Sequence, residues 1–122
     1  MLDHVGGNVT SLAASRAFYE AALAPLAVSV QKEVPGHAVG LGADGFPWLW
    51  LAERAPVGTA AHIAIRARSH AAVDAFHAAA LAAGGADNGA PGLRPQYHPG
   101  YYGAFVLDPD GNNLEAVCHR EG

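Results

Sequence analysis

A displacement of 58 residues lays the chain on itself. Residues 2–24, LDHVGGNVTSLAASRAFYEAALA, fall over residues 60–82, AAHIAIRARSHAAVDAFHAAALA, with ten of the 23 pairs identical. Six of the ten are alanines, but His4 on His62, Ser11 on Ser69, Phe18 on Phe76 and Leu23 on Leu81 share the one register. A repeat of this length restricts the fold, because each copy must form the same small unit and the two units must bury their apolar faces together.

Each copy starts with a short strand that carries its histidine. A hydroxyl cap follows, Thr10 or Ser11 in the first copy and Ser69 in the second. An amphipathic helix comes next, with Leu12, Phe18 and Leu23 in the first and Val73, Phe76 and Leu81 in the second. Pro25 closes the first helix and Gly84-Gly85 the second. VSVQKEV then alternates around residues 28–34, HAVGLGA follows Pro35-Gly36, and FPWLWLAE follows Asp44-Gly45. In the second copy AFVLDPDGNNLEAVCH is a hairpin, with Pro109 presetting the turn and Gly111 supplying a positive φ. Residues 86–100, rich in Gly and Pro, predict one weak strand at most and otherwise loop. The expected architecture is α+β: two tandem βαβββ modules, 1–57 and 58–122, forming a single domain of about eight strands, with curved mixed sheets around a cleft and helices outside.

Composition narrows the function classes. At 122 residues and 51% hydrophobic, the chain can build one core. A net charge of −4, with Arg and Lys scattered singly, lacks the basic field that a nucleic-acid partner requires. No stretch approaches the roughly 20 apolar residues of a membrane span, and MLDHVGG has no charged leader, so the expectation is a cytoplasmic protein without a membrane partner. A single cysteine, Cys118, permits no internal disulfide or cysteine-clustered zinc site and is expected as a small buried residue. No Ser-His-Asp order, phosphate-cradling glycine loop or dinucleotide fingerprint occurs.

Strand parity selects the candidate site. In residues 60–66, Ile63 and Ile65 share one face, and His62 shares the other with Ala64. In the last strand Leu114, Ala116 and Cys118 share one face, and Glu115, Val117 and His119 the opposite one. If the apolar faces go to the helices, His62 and Glu115 look into the cleft. A carboxylate within an apolar strand is costly unless paired. Convergence of His4, His62 and Glu115 on a divalent metal would neutralise it and leave open positions for water or substrate; the bland alternative is a pair of hydrogen-bonded structural histidines. YHPGYYGAF, residues 97–105, gathers His98, Tyr101 and Tyr102 either for edge packing or to face a substrate. Tyr101 is the candidate catalytic residue, since a phenol in the cleft can donate a proton. Trp48 and Trp50 share a strand face, as core or as an aromatic wall for an apolar substrate. DPDG lacks the acidic spacing of an EF-hand and reads as a hairpin turn. His37, His70 and His77 are expected at the surface, with no carboxylate arranged to make a site of the last two.

The tandem βαβββ pattern, the histidine strands DHV and AHIAI, and the DPDGNNLE hairpin together resemble the vicinal oxygen chelate superfamily, the group of glyoxalase, extradiol dioxygenases, fosfomycin-modifying enzymes and bleomycin-resistance proteins. The resemblance covers nearly the whole chain. It implies His4, His62 and Glu115 as ligands of Fe(II), Mn(II), Zn(II), Ni(II) or a similar ion that binds two oxygens of a small-molecule substrate, in an oxidoreductase or lyase. It also implies a homodimer in which His4 meets His62 and Glu115 of the partner subunit, with pairing inside one chain as the rival. One departure concerns a fourth ligand, a glutamate that glyoxalase-like members carry in the last strand of the first module. Matching Asp44-Gly45 to Asp110-Gly111 sets Leu49 opposite Glu115, a shift of one residue sets Trp48 or Trp50 there, and Glu53 stands two pleats farther on. Three ligands resemble the dioxygenase and fosfomycin-modifying branches more than glyoxalase. The rival functions are a glutathione-linked glyoxalase or transferase and a metal-free protein that sequesters a drug or metabolite. The loop from Gly89 to Gly100 is the expected carrier of specificity.

Overall fold

The computed structural model describes residues 1–120, so Glu121 and Gly122, the end of the expected second module, lie outside the described residues. The first half of the chain forms β1 (Val5–Val9), α1 (Leu12–Leu23), β2 (Ser29–Val34), β3 (Ala38–Ala43) and β4 (Phe46–Glu53). The second forms β5 (His62–Arg66), α2 (His70–Ala82), β6 (Ala86–Leu93), β7 (Tyr102–Leu107) and β8 (Asn113–Cys118). Each half is a four-stranded sheet, in the orders β1-β4-β3-β2 and β5-β8-β7-β6. The first strand of each lies parallel to the last and the other neighbours are antiparallel. The repeat seen in the sequence is therefore a repeated α+β module, and neither sheet closes on itself.

Local chemistry explains the match. Ser11 Oγ accepts the Ala14 N–H at 3.1 Å and Ser69 Oγ accepts the Ala72 N–H at 3.1 Å, so both helices are capped 58 residues apart. Pro25 sits in a 3₁₀ turn, Ala24–Leu26, that ends α1. The single strand expected within residues 86–100 is β6, whose register slips twice, between Asp87 and Gly89 and between Gly89 and Gly92. No helix is long and apolar enough to cross a membrane.

The two helices pack on each other, and one core joins Phe18, Leu23 and Leu49 of the first module to Val73, Phe76 and Leu114 of the second. Cys118 is buried in it, as expected of a small apolar residue. The copies differ at their helix ends. Leu23 is buried, whereas Leu81, expected in the core, is 38% exposed. The buried stripe of α2 runs Val73, Phe76, Ala80, and Leu81 stands about 100° farther round the helix. Tyr19 and His77 hold equivalent positions. His77 is half-buried and bonds Asp87 Oδ1 at 3.0 Å, which holds the Asp87 carboxyl below its usual range with help from the Gly89 N–H. His70 stacks on Tyr102 with ring centroids 3.8 Å apart, and its Nε2 bonds the Arg120 carbonyl at 2.8 Å. The expectation of plain surface histidines is thus corrected for both, while His37 is exposed.

Asp108 ties the modules together. It is buried, its Oδ1 accepts the N–H groups of Asp110 and Asn112 at 2.9 Å each, and its Oδ2 accepts the Tyr19 hydroxyl at 2.6 Å. The turn of the last hairpin is thereby bonded to the first helix. Burial, and then the Asp108 charge, push the Tyr19 phenol well above its ordinary range.

Tyr19→Phe removes a donor from a buried carboxylate and should lower the unfolding free energy by about 1.5–3 kcal/mol, read as a lower urea midpoint at unchanged slope. The raised phenol also makes a signed prediction. Its contribution is complete below the ordinary tyrosine value of about 10 and is lost as pH climbs above it, so the midpoint of the Phe variant should fall less steeply than wild type in alkali.

Candidate metal centre

Three neighbouring strands build the site. Glu115 lies in the middle of β8, directly opposite Phe105 of β7 and beside Ala64 of β5. His62 is two residues before Ala64 and so projects from the same face of the sheet. Its Nε2 stands 2.7 Å from Glu115 Oε1. The Tyr101 hydroxyl, just ahead of β7, donates to Glu115 Oε2 in a short hydrogen bond. Glu115 is 1% exposed while the His62 side chain is 54% exposed. The carboxylate is thus sealed inside the sheet with an imidazole on one oxygen and a phenol on the other, and the imidazole is its outlet to the surface.

Gly103 gives room for the approach of Tyr101. A β-carbon there would meet Tyr101 Cε1 at 3.2 Å and Glu115 Oε2 at 3.4 Å. Burial, and then the bond to Glu115, push the Tyr101 phenol well above its ordinary range, so it holds its proton across neutral pH. His98 and His119 support the ring. They bond each other through Nε2 and Nδ1 at 2.9 Å, and Tyr101 packs edge-on against both, at 5.1 and 5.3 Å between centroids. Phe105 covers the inner wall, 6.3 Å from the His62 ring, and the Arg94 guanidinium lies 5.5 Å over Phe105 while donating to the Ala90 carbonyl at 2.6 Å. Phe105 shares the strand parity of Tyr101 and Glu115 and was findable in the sequence. His119, next after β8, shares the parity of Glu115 as well, whereas Arg94 lies in a loop and carries no such signal.

The other expected site residues are placed elsewhere. His4 precedes β1, exposed, with Nδ1 2.7 Å from Asp3 Oδ1. Among the described residues no group of three His, Cys, Asp or Glu side chains is placed to hold a metal. Tyr102 turns to the opposite side of β7 from Tyr101, where its hydroxyl donates to Asp74 Oδ1 at 2.6 Å. Trp48 borders a recess lined by Leu26, Ala64 and Arg66, away from Glu115. Trp50 holds the position in the first module that Glu115 holds in the second. Val5 pairs with Leu49 as Ile63 pairs with Leu114, so the next residues, Trp50 and Glu115, correspond. The turn-based match of Leu49 to Glu115 is therefore corrected. Ala43 pairs with Phe46 across two residues but Leu107 pairs with Asn113 across five, so aligning the turns displaces the strands. Glu53 is engaged in a different task, its Oε1 accepting the Leu12 N–H at 2.8 Å at the start of α1.

The donor types fit a divalent ion, an imidazole and a carboxylate already together with a phenol orienting the carboxylate, but the described residues bring only these two donors together. In the first module, the equivalent place holds an indole.

The model of the glyoxalase/bleomycin resistance protein/dioxygenase superfamily matches residues 1–116. The chain belongs to that superfamily. A glyoxalase/bleomycin resistance protein from Albidiferax ferrireducens is similar at 27% identity, with 94% of this chain and 96% of that one covered and a TM-score of 0.80. A glyoxalase/bleomycin resistance protein/dioxygenase family enzyme from Burkholderia phytofirmans shares the fold at 21% identity, 98% of each chain and a TM-score of 0.70. So does a lactoylglutathione lyase from Agrobacterium tumefaciens, at 22% identity, 94% of this chain, 90% of that one and a TM-score of 0.67. No curated protein matches.

Within this superfamily member, the indole at the position equivalent to Glu115 packs over Gly40. A β-carbon on Gly40 would come within 2.6 Å of Pro47 Cβ and 2.9 Å of Trp50 Cε2 and Cζ2. Gly40→Ala should therefore displace the indole, lowering stability by about 1–3 kcal/mol and shifting tryptophan emission to the red.

Proposed function

We propose that the protein is a small metal-dependent enzyme, dioxygenase-like or lyase-like, whose centre is completed by a second copy of the chain. His62 and Glu115 of one protomer and His4 of the other hold a divalent ion of the Fe, Mn, Zn or Ni kind. The observation that carries this reading is Glu115: a carboxylate 1% exposed, yet joined through His62 to the surface. Membership of the superfamily supports it, and so does the edge position of β1, which His4 precedes, and of β5, which His62 opens. When bound, the ion supplies Lewis acidity to two oxygens of a small-molecule substrate. The chain's own residues do the rest. Tyr101 keeps its proton at the phenol oxygen and fixes the orientation of the Glu115 carboxylate. Phe105 excludes water from that carboxylate, and Arg94 brings the nearby positive charge that an anionic substrate would meet. With Trp50 in place of a fourth ligand, the set fits an open centre better than a glyoxalase-type one.

A second reading, a metal-free protein that sequesters an aromatic drug or metabolite, is favoured by one observation. His62 and Glu115 satisfy each other without any ion.

Protein purified without chelator should carry transition metal, and His62→Ala and Glu115→Gln should lose it. A protein that stays metal-free when offered these ions, but binds aromatic ligands, would establish the second reading. Sharing of the centre has its own test. His4→Ala and His62→Ala protomers, each metal-poor, are mixed and allowed to exchange. About half the dimers are then mixed, each with one intact centre of two, restoring about a quarter of the wild-type metal, whereas a centre built within one chain restores none. Tyr101→Phe should keep the fold and weaken metal affinity by about 10–100-fold, measured by competition with a chromophoric chelator.

A further inference from the structure

We propose that the protein has a second ligand site, for a planar ring bearing a carboxylate or phosphate, where the two modules meet beside Trp48. This goes beyond the metal centre and does not rest on it. The starting observation is charge placement. The chain has seven Lys and Arg against eleven Asp and Glu, a net of −4, yet three of those seven cations, Arg66, Arg68 and Arg120, crowd into one region. Arg66 and Arg68 line two recesses of about 490 and 420 Å³ that also share Leu26 and so form one continuous depression, and Arg120 lines the second. Among the described residues none of the three takes part in an ion pair, while Arg16 is held by both Glu20 and Glu33. Asp44 is the one carboxylate among the lining residues. Three clustered like charges in an acidic protein repel one another, and an anion between them removes that cost.

The strand pattern shows how the site is made. Ile63 and Ile65 turn towards the core and Ala67 is buried, leaving His62, Ala64, Arg66 and Arg68 as one outward row. Ala64 is the small residue of that row and leaves room opposite the Trp48 indole. The recess thus offers a flat apolar ring, an apolar edge at Leu26 and paired guanidinium groups, each able to grip two oxygens of a carboxylate or phosphate. Its size suits one small organic molecule. His62, Glu115 and Tyr101 are not among its lining residues, and along β5 the step from His62 to Arg66 is about 13 Å.

The probes are adenosine monophosphate and 1-naphthoate, which carry ring and anion, with adenosine as ring alone and inorganic phosphate as anion alone. Calorimetry and quenching of tryptophan emission on the wild-type chain should show saturable binding of at least one ring-anion probe, about ten-fold or more tighter than either part, and weakened by salt. Which of the two binds tells phosphate from carboxylate. Arg66→Ala/Arg68→Ala, exposed positions whose loss leaves the core intact, should weaken binding about ten-fold or more, and Trp48→Phe should abolish the quenching. Binding should survive in His62→Ala, so the failure of one site is not read as the failure of the other. The proposal is overturned if neither probe binds at millimolar concentration, if the double variant binds as well as wild type, or if His62→Ala removes binding. It is equally overturned if the double variant loses self-association while wild type binds no probe, since the arginines then serve a contact between copies.

Discussion

The carboxylate of Glu115 can stay buried only while His62 and Tyr101 stay in place. Taking an unpaired carboxylate out of water is among the most costly changes a fold can contain, and each hydrogen-bond partner lowers that cost. That requirement orders the second sheet. It fixes β5 beside β8 with His62 two residues from the pairing partner of Glu115, and it demands Gly103 where the Tyr101 ring crosses. A second carboxylate, Asp108, sits at the turn of the same hairpin and binds it to α1 through Tyr19. The final hairpin is thus anchored by charge at both ends, once to its own sheet and once to the other module.

The duplicated modules keep their backbone and trade their chemistry. The caps Ser11 and Ser69, the buried Phe18 and Phe76, and the parallel pairing of first and last strands are common to both. The difference that sets the chemistry is the position occupied by Trp50 in one and Glu115 in the other. In the first module an indole lies over Gly40, and no charge needs compensation. In the second a carboxylate recruits an imidazole and a phenol. An identical pleat holds either solution, because strand parity dictates which way the residue points and says nothing of what it is.

Periodicity and capping made the fold legible in the sequence. Alternation in FPWLWLAE and NLEAV assigned faces, the repeat assigned module order, and both survive in the sheets. Turn matching failed for Leu49 because the two hairpin turns differ in length, so only the strand register could show that Trp50 corresponds to Glu115. Leu81 was misplaced because α2 buries a narrower stripe than α1. At the site, parity brought His62 and Glu115 to one face correctly. Carried one residue ahead of β7, it also sets Tyr101 and Tyr102 on opposite sides, but it could not foresee the coverage that leaves all of Leu114–Cys118 buried. Glu53 illustrates a different limit. A carboxylate at a strand end has many suitors, and here the nearest donor is the first free N–H of α1.

His4 immediately precedes β1 and His62 opens β5, and the course of both strands follows from where the core lies. The helices of the two modules pack on each other, and the apolar faces of both sheets turn towards that shared interior. The faces bearing Trp50 on one sheet and Glu115 on the other consequently turn away from that core. In the proposed dimer, a twofold pairing of identical copies would bring such faces together twice, each first module meeting the other copy's second. The same geometry accounts for the half-exposed state of His62: an imidazole bonded on its inner side to a sealed carboxylate, with its outer side left to whatever completes the site.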